Sequence, residues 1–361
     1  MYKLGKDGTR SQVLRGCDLT KQIIKTLAAS VFAHKASASL LRPLWRGRSV
    51  IFVLHRLSAR PGSSDSMTLE AIGTSLSVLR KAGARFVSLS YLVDLATRGL
   101  EPEPGCIAFT IDDGYFDQGV MAKEGFIDNG APVTVFLISG LIDGITWPWD
   151  HQVEYAIDNS TRTSLEFEPT GTTLKLATLA DRNAAIDTVQ NYCKRVPWSQ
   201  AADILSRLYE ASGVTPPRTA PLATHRPLDW AEVRRLEAAG VDFAPHSITH
   251  RITSKLTAEE ARQEIVGSWG RLQQELARPV PIYAWPTGRA TDFSERDMDI
   301  AAEAGLRGAV AVTNDYAHFS NRNDSRSSRF AASRFAMSVS TLDTLQYGTG
   351  LERLKQLVRF S

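Results

Sequence analysis

From residue 49 onward, short apolar runs rich in β-branched residues alternate with stretches whose apolar positions recur every three to four residues. A run of four to eight apolar residues suits a strand buried on both faces, and an amphipathic stretch suits a helix laid over it. The alternation therefore predicts a parallel α/β fold. Strands are expected at 49–55, 85–88, 106–111, 132–138, 241–245, 281–285 and 307–312, with helices at 69–82, 89–98, 118–129, 230–239, 258–277 and 295–304. Several of these helices end at a glycine, the residue that best accepts the left-handed turn after a helix.

Seven strand–helix units approach what a closed (β/α) barrel requires, and no G-x-G-x-x-G turn suggests a dinucleotide fold. Residues 147–224 break the rhythm, with polar turns over 158–173 and one or two helices within 180–212. They read as an insertion at the barrel mouth. The expected architecture is a distorted (β/α) barrel of about seven strands over 48–315, with that helical insertion, a basic helical N-terminal arm over 1–47 and a C-terminal extension over 316–361.

Charge separates the arm from the rest. The 361 residues carry a formal net charge of +3, but residues 1–48 hold ten basic side chains against Asp7 and Asp18, a net of +8, which leaves the remainder at −5. Within the arm, Ile23, Leu27 and Val31 form an apolar stripe beside Ile24 and Phe32, and the pattern resumes at Leu40, Leu41, Leu44 and Trp45. Such a basic amphipathic segment either lies on an anionic membrane surface or docks on the body. Lys25 interrupts the only stretch resembling a signal-peptide core, so the expected location is cytoplasmic or peripheral at the inner face of the membrane, with export as the alternative. An acidic body without a nucleic-acid motif argues against nucleic-acid binding. Cys17, Cys106 and Cys193 form no C-x-x-C pair and suggest neither a disulfide framework nor a thiolate metal site.

Three features fall at expected strand ends, where barrel enzymes gather their chemistry. The run IAFTIDDGYFD sets Asp112 and Asp113 side by side before Gly114. Adjacent carboxylates repel, an arrangement tolerated when a cation holds one and the other stays free as a base. FAPHSITH sets His246 and His250 four residues apart, able to aim two imidazoles at one ion from a helical turn or a tight loop. YAWPTGR supplies Trp285, Pro286 and Arg289 as candidate pocket walls.

The runs TIDDGYFD, APVTVFLISG, LDWAEVRRLEAAGVDFAPHSITH, TAEEARQEI and YAWPTGR resemble, in order and spacing, those of the polysaccharide deacetylases that share the chitooligosaccharide deacetylase (NodB-type) homology domain, carbohydrate esterase family 4. The resemblance implies a divalent metal, zinc by default with cobalt, nickel or manganese also suitable, held by Asp113, His246 and His250, with Asp112 as general base. It implies an acetylated amino-sugar glycan as substrate. The backbone N–H of Tyr115, just past the glycine, is a candidate oxyanion donor. The chain departs from the pattern in having Ile111 where the family has Phe, and in lacking the Arg that precedes the aromatic–Pro pair, for which Arg289 is the candidate substitute. The late Leu-x-His that supplies the acid has no clear counterpart. His318 lies in the corresponding region, His55 resembles the Tyr-His-Arg run of exopolysaccharide-type members, and His225 is a third candidate. Trp147 and Trp149, in WPWD, are expected either to stack on sugar rings or to pin the insertion, and Asp150 to reach a sugar hydroxyl or a catalytic histidine. The expected activity is removal of N-acetyl groups from a GlcNAc-containing polysaccharide, oligosaccharide or lipid-linked precursor. The alternatives are a catalytically silent glycan-binding member and a hydrolase of other non-peptide C–N bonds.

Overall fold

The structure is a computed structural model that describes residues 39–57, 67–318 and 325–359. Residues 1–38 of the expected arm, with Cys17, lie outside the described residues.

Twelve strands occur among the described residues: β1 Arg48–Leu54, β2 Arg85–Phe86, β3 Cys106–Asp113, β4 Val133–Leu137, β5 Ser164–Phe167, β6 Thr172–Lys175, β7 Asp242–Pro245, β8 Ile282–Ala284, β9 Gly308–Ala311, β10 Ala317–His318, β11 Ala332–Ser333 and β12 Phe335–Ala336. β1, β3, β4 and β7 pair in parallel in that order, with Val50 opposite Ile107, Thr110 opposite Thr134 and Phe136 opposite Ala244. The Val280 N–H donates to the Phe243 carbonyl at 2.7 Å and leads into β8, which pairs in parallel with β9. β9 pairs with β11, and two residues later β12 pairs with β1. The segment 332–336 is thus one broken stave that joins both ends of the sheet, and the circuit closes as a seven-stave (β/α) barrel with Arg334 at the break.

Side-chain alternation separates two cores. Ile51, Ala108, Phe136, Ala244, Ala284, Val310 and Ala332 fill the interior, with small residues suiting a narrow barrel. Val50, Phe52, Leu54, Ile107, Phe109, Ile111, Val133, Val135 and Leu137 face the opposite way, under residues such as Ile72, Leu76 and Leu79 of the helix Leu69–Lys81. Strands buried on both faces appear in the sequence as unbroken apolar runs, as these do. Each large apolar side chain so buried contributes about 1.5–3 kcal/mol.

The expected strands are present, but 85–88 forms only the short β2 at the foot of β3 and is not a stave. The seventh stave is instead 332–336, inside the expected C-terminal extension. Its two halves are two residues each and pair with different neighbours, so neither leaves a periodic signal. Leu41 and Trp45, expected to belong to the arm, are buried, and Trp45 packs edge-on against Tyr316 at 5.8 Å. The polar stretch 158–173 contains most of an antiparallel hairpin, β5–β6. With the helices Trp149–Asp158, Leu179–Cys193 and Trp198–Ser212, that hairpin gives the insertion its own core around Val153, Phe167, Val189 and Ile204.

Candidate metal centre and active site

β3 carries both carboxylates to the barrel mouth. Asp112 has the interior-facing parity of Ala108 and Thr110. Asp113 would by alternation point outward, but its φ of 103° breaks the strand geometry. Backbone strain of this kind persists only where surrounding structure imposes it. Gly114 follows with φ +105°, and a Cβ there would sit 2.8 Å from Leu137 Cδ2, so only glycine suits the position.

His246 and His250 come from a tight loop after β7, with left-handed backbone at Ser247 and His250. Glu264, on the helix Ala258–Glu275, accepts from the Ile248 and Thr249 N–H groups at 2.8 and 2.9 Å and pairs with Arg251 at 2.6 Å. His250 N–H donates to Ser247 Oγ at 2.8 Å. The loop is therefore rigidly tied, and both imidazole Nε2 atoms lie 3.9 Å from Asp113 Oδ1.

All three side chains are buried, and one ligand atom from each lies within 4.8 Å of the others. His246 Nδ1 is 2.8 Å from the Ala284 carbonyl, and His250 Nδ1 is 3.2 Å from Asp150 Oδ1. Each contact places an N–H on Nδ1, which leaves Nε2 as the ring atom turned toward Asp113. Burial pushes the Asp113 carboxyl above its usual range against the pull of His250 and His55. Burial also lowers His246 to about 3, whereas at His250 the Asp150 and Asp113 carboxylates outweigh burial and lift it to about 9. Two neutral-capable imidazoles and one costly buried carboxylate, with their second nitrogens already engaged, suit a divalent cation.

Asp112 stands apart from this cluster. Burial would raise its pKa, but Arg334 at the barrel seam forms a bidentate pair with it, both contacts at 2.7 Å, and holds it at about 2. Arg334 is fully buried and also reaches Thr110 Oγ1 at 3.1 Å. His55, immediately after β1, acts electrostatically on both carboxylates.

Several candidates have other positions. Arg289 pairs with Asp292 at 2.9 Å and does not reach Asp112; the guanidinium that does is that of Arg334. Trp285 is fully buried, stacks on Phe293 at 5.0 Å and donates to the Phe330 carbonyl, and Pro286 beside it is buried too, so this pair is core and not pocket wall. Trp147 and Trp149 are buried as well. Trp147 packs against Tyr155 and His225, and Trp149 donates to the His250 carbonyl at 3.1 Å, so both pin the insertion. Asp150 reaches a histidine, as one of its two expected roles required. His318 is exposed on β10 opposite Arg48, at the other end of the seven-residue β1 from His55, a separation of about 20 Å at about 3.3 Å per residue. The Tyr115 N–H donates to Gln118 Oε1 at 2.8 Å, as does Gly114 N–H at 2.6 Å, so the expected oxyanion donor is already engaged. Arg334, Gln118 and His151 were missed. Arg334 lies far from every motif, and no periodic pattern marks it.

Residues 185–309 match the family model described as polysaccharide deacetylase. Over that segment the chain is similar to the polysaccharide deacetylase family. Its members are hydrolases of carbon–nitrogen bonds other than peptide bonds. The matched segment contains His246 and His250, while Asp112 and Asp113 precede it. Among solved structures, the deacetylase PplD of Streptococcus pyogenes, described in complex with acetate, is similar at 12% identity and a TM-score of 0.53, covering 84% of this chain and 97% of that one. IcaB from Ammonifex degensii gives 13%, 0.51, 84% and 97%, and the polysaccharide deacetylase BC0361 from Bacillus cereus gives 10%, 0.52, 84% and 69%. At these identities the likeness is one of fold. No curated protein sequence matches this one.

Proposed function

We propose that this polysaccharide deacetylase relative is a divalent-metal-dependent N-deacetylase of a GlcNAc-containing polysaccharide, oligosaccharide or lipid-linked precursor. One observation carries the reading: a buried carboxylate, Asp112, kept ionised by Arg334, beside a separate Asp113–His246–His250 cradle. A divalent ion in that cradle, zinc by the nitrogen-rich donor set and otherwise cobalt, nickel or manganese, supplies Lewis acidity toward the acetamide carbonyl and the attacking water.

The chain's own residues do the rest. Asp112 accepts the water proton, for which it must be ionised and oriented, and the Arg334 fork fixes its plane. Asp150 holds His250 in the tautomer that keeps Nε2 free. His55, immediately after β1, returns a proton to the departing amine. The basic N-terminal segment, at +8 over residues 1–48, would serve peripheral contact with an anionic membrane.

The test is acetate release from acetylated amino-sugar oligomers by the full chain, stripped of metal and then supplied with zinc or cobalt. Release that depends on metal and is lost in Asp112→Asn supports the reading. No release from any such oligomer under either condition overturns it.

A further inference from the structure

Tyr115, His151 and His225 form a group of rings at the barrel mouth that the roles above do not use. Tyr115 is fully buried, and its hydroxyl lies 2.6 Å from His151 Nδ1, its one partner among the described residues. The His225 ring is 5.3 Å from that of His151, and the Arg56 guanidinium lies 4.4 Å over the Tyr115 ring. With Nδ1 as the one partner of its hydroxyl, the buried phenol satisfies its O–H by donating to Nδ1. The hydrogen of a neutral His151 is then on Nε2. Burial lowers His151 to about 3, with Asp150 opposing and His225 and Arg56 assisting.

His151 is tied to both sides of the metal cradle. On one side it is bonded to Tyr115, two residues after Asp113; on the other it follows Asp150, the partner of His250. It is half-buried, and its Nε2 has no hydrogen-bond partner among the described residues. The Gly114 and Tyr115 amides, the natural oxyanion donors at this turn, are both engaged by Gln118 Oε1.

We propose that His151, as a neutral imidazole, donates a hydrogen bond from Nε2 to the acetamide oxygen as that atom becomes an oxyanion. The assignment rests on the deacetylase reading. Water adds to the carbonyl carbon, the C=O π pair moves to oxygen, and the Nε2–H stabilises it without leaving nitrogen. The proton lost by water goes to Asp112 and that gained by the amine comes from His55, so His151 ends the cycle unchanged. A neutral imidazole polarising a carbonyl is an established device in enzymes, and one preorganised donor is worth about 10²–10³ in kcat.

The test uses the metal-loaded full chain and N-acetylglucosamine oligomers, comparing wild type with His151→Ala, His151→Gln and His151→Met. We expect His151→Ala and His151→Met to lose about 10²–10³-fold in kcat with KM within about threefold and bound metal unchanged, and His151→Gln, which restores an N–H, to recover at least about tenfold. A rise in KM alone, a loss that tracks loss of metal, or equal activity in Gln and Met variants overturns the assignment. If His151→Ala does not fold, the Gln and Met pair decides the question. A wild-type chain that releases no acetate overturns the deacetylase reading itself, whereas an active wild type matched by His151→Met overturns only the role of His151.

Discussion

Arg334 grips Asp112 through its two terminal Nη nitrogens at 2.7 Å, from the point where the last stave changes neighbours and closes the barrel. Barrel closure and orientation of the candidate base therefore depend on one residue. Arg334→Met leaves a buried carboxylate unpaired, which costs about 3–5 kcal/mol. We expect a correspondingly lower thermal midpoint and at least about a 10²-fold loss of kcat. Arg334→Lys should not restore the rate, because a point charge cannot reproduce the two-pronged geometry. Thermal denaturation and acetate release check both, and a fully active Arg334→Met would show that Asp112 is not the base.

Asp150 lies behind His250 and not in the cradle itself, so its loss should affect metal affinity before chemistry. Asp150→Asn is expected to weaken zinc binding about 10–100-fold while leaving most of kcat at saturating metal. Competition against a chromophoric chelator measures the first and acetate release the second. Unchanged affinity would mean that the 3.2 Å contact does not orient His250.

A cradle formed only in the folded chain couples metal to stability. Zinc at about 100 times its dissociation constant should add about 2.7 kcal/mol, seen as a higher denaturant midpoint. Asp113→Ala should abolish that increment. An increment that survives the substitution would place the ion elsewhere.

The parts of this molecule legible in sequence are those encoded by contiguous signals. Strands buried on both faces leave unbroken apolar runs, so β1, β3, β4 and β7 were plain, and the Asp-Asp-Gly and His-x-x-x-His spacings each lie on one short segment. Arg334 was not legible, because its meaning depends on a partner 222 residues away and on a stave of two halves. Composition also misled at the aromatics. A Trp in a motif looks equally like a sugar platform and like packing, and for Trp147, Trp149 and Trp285 only burial separates the two. The Tyr115 amide failed as an oxyanion donor for a similar reason: nothing in the sequence announces that the Gln118 side chain folds back onto it.

Trp149 sits at the junction of the insertion core and the metal-site loop, packing with Val153 and Ile157 and bonding the His250 carbonyl. Truncation to Ala should cost about 3–5 kcal/mol through the cavity it leaves. Urea denaturation would detect this. A Trp149→Ala variant of unchanged stability but raised KM would restore the sugar-stacking role that its burial argues against.

The arm gives a prediction whose boundary the fold has moved. Leu41 and Trp45 are buried, and a Cβ on Gly350 would collide with the Trp45 indole, so residues 41–45 are part of the packed body. The basic charge upstream of Ser39 is the part we assign to location. Removing residues 1–38 should therefore leave metal-dependent acetate release unchanged and sharply reduce co-sedimentation with phosphatidylglycerol-containing vesicles, since each basic residue near such a surface is worth about 1 kcal/mol. High salt should release the intact chain as well, because the attraction is screened within about 10 Å at 0.1 M ionic strength. Removing residues 1–45 should instead lower stability, through the lost packing of Trp45 against Tyr316. Vesicle binding that survives the shorter deletion would assign membrane contact to the body. The exposed Leu354 and Leu357 of the helix Leu351–Arg359, which packs beside the Ser39–Trp45 turn, would then be the first residues to replace.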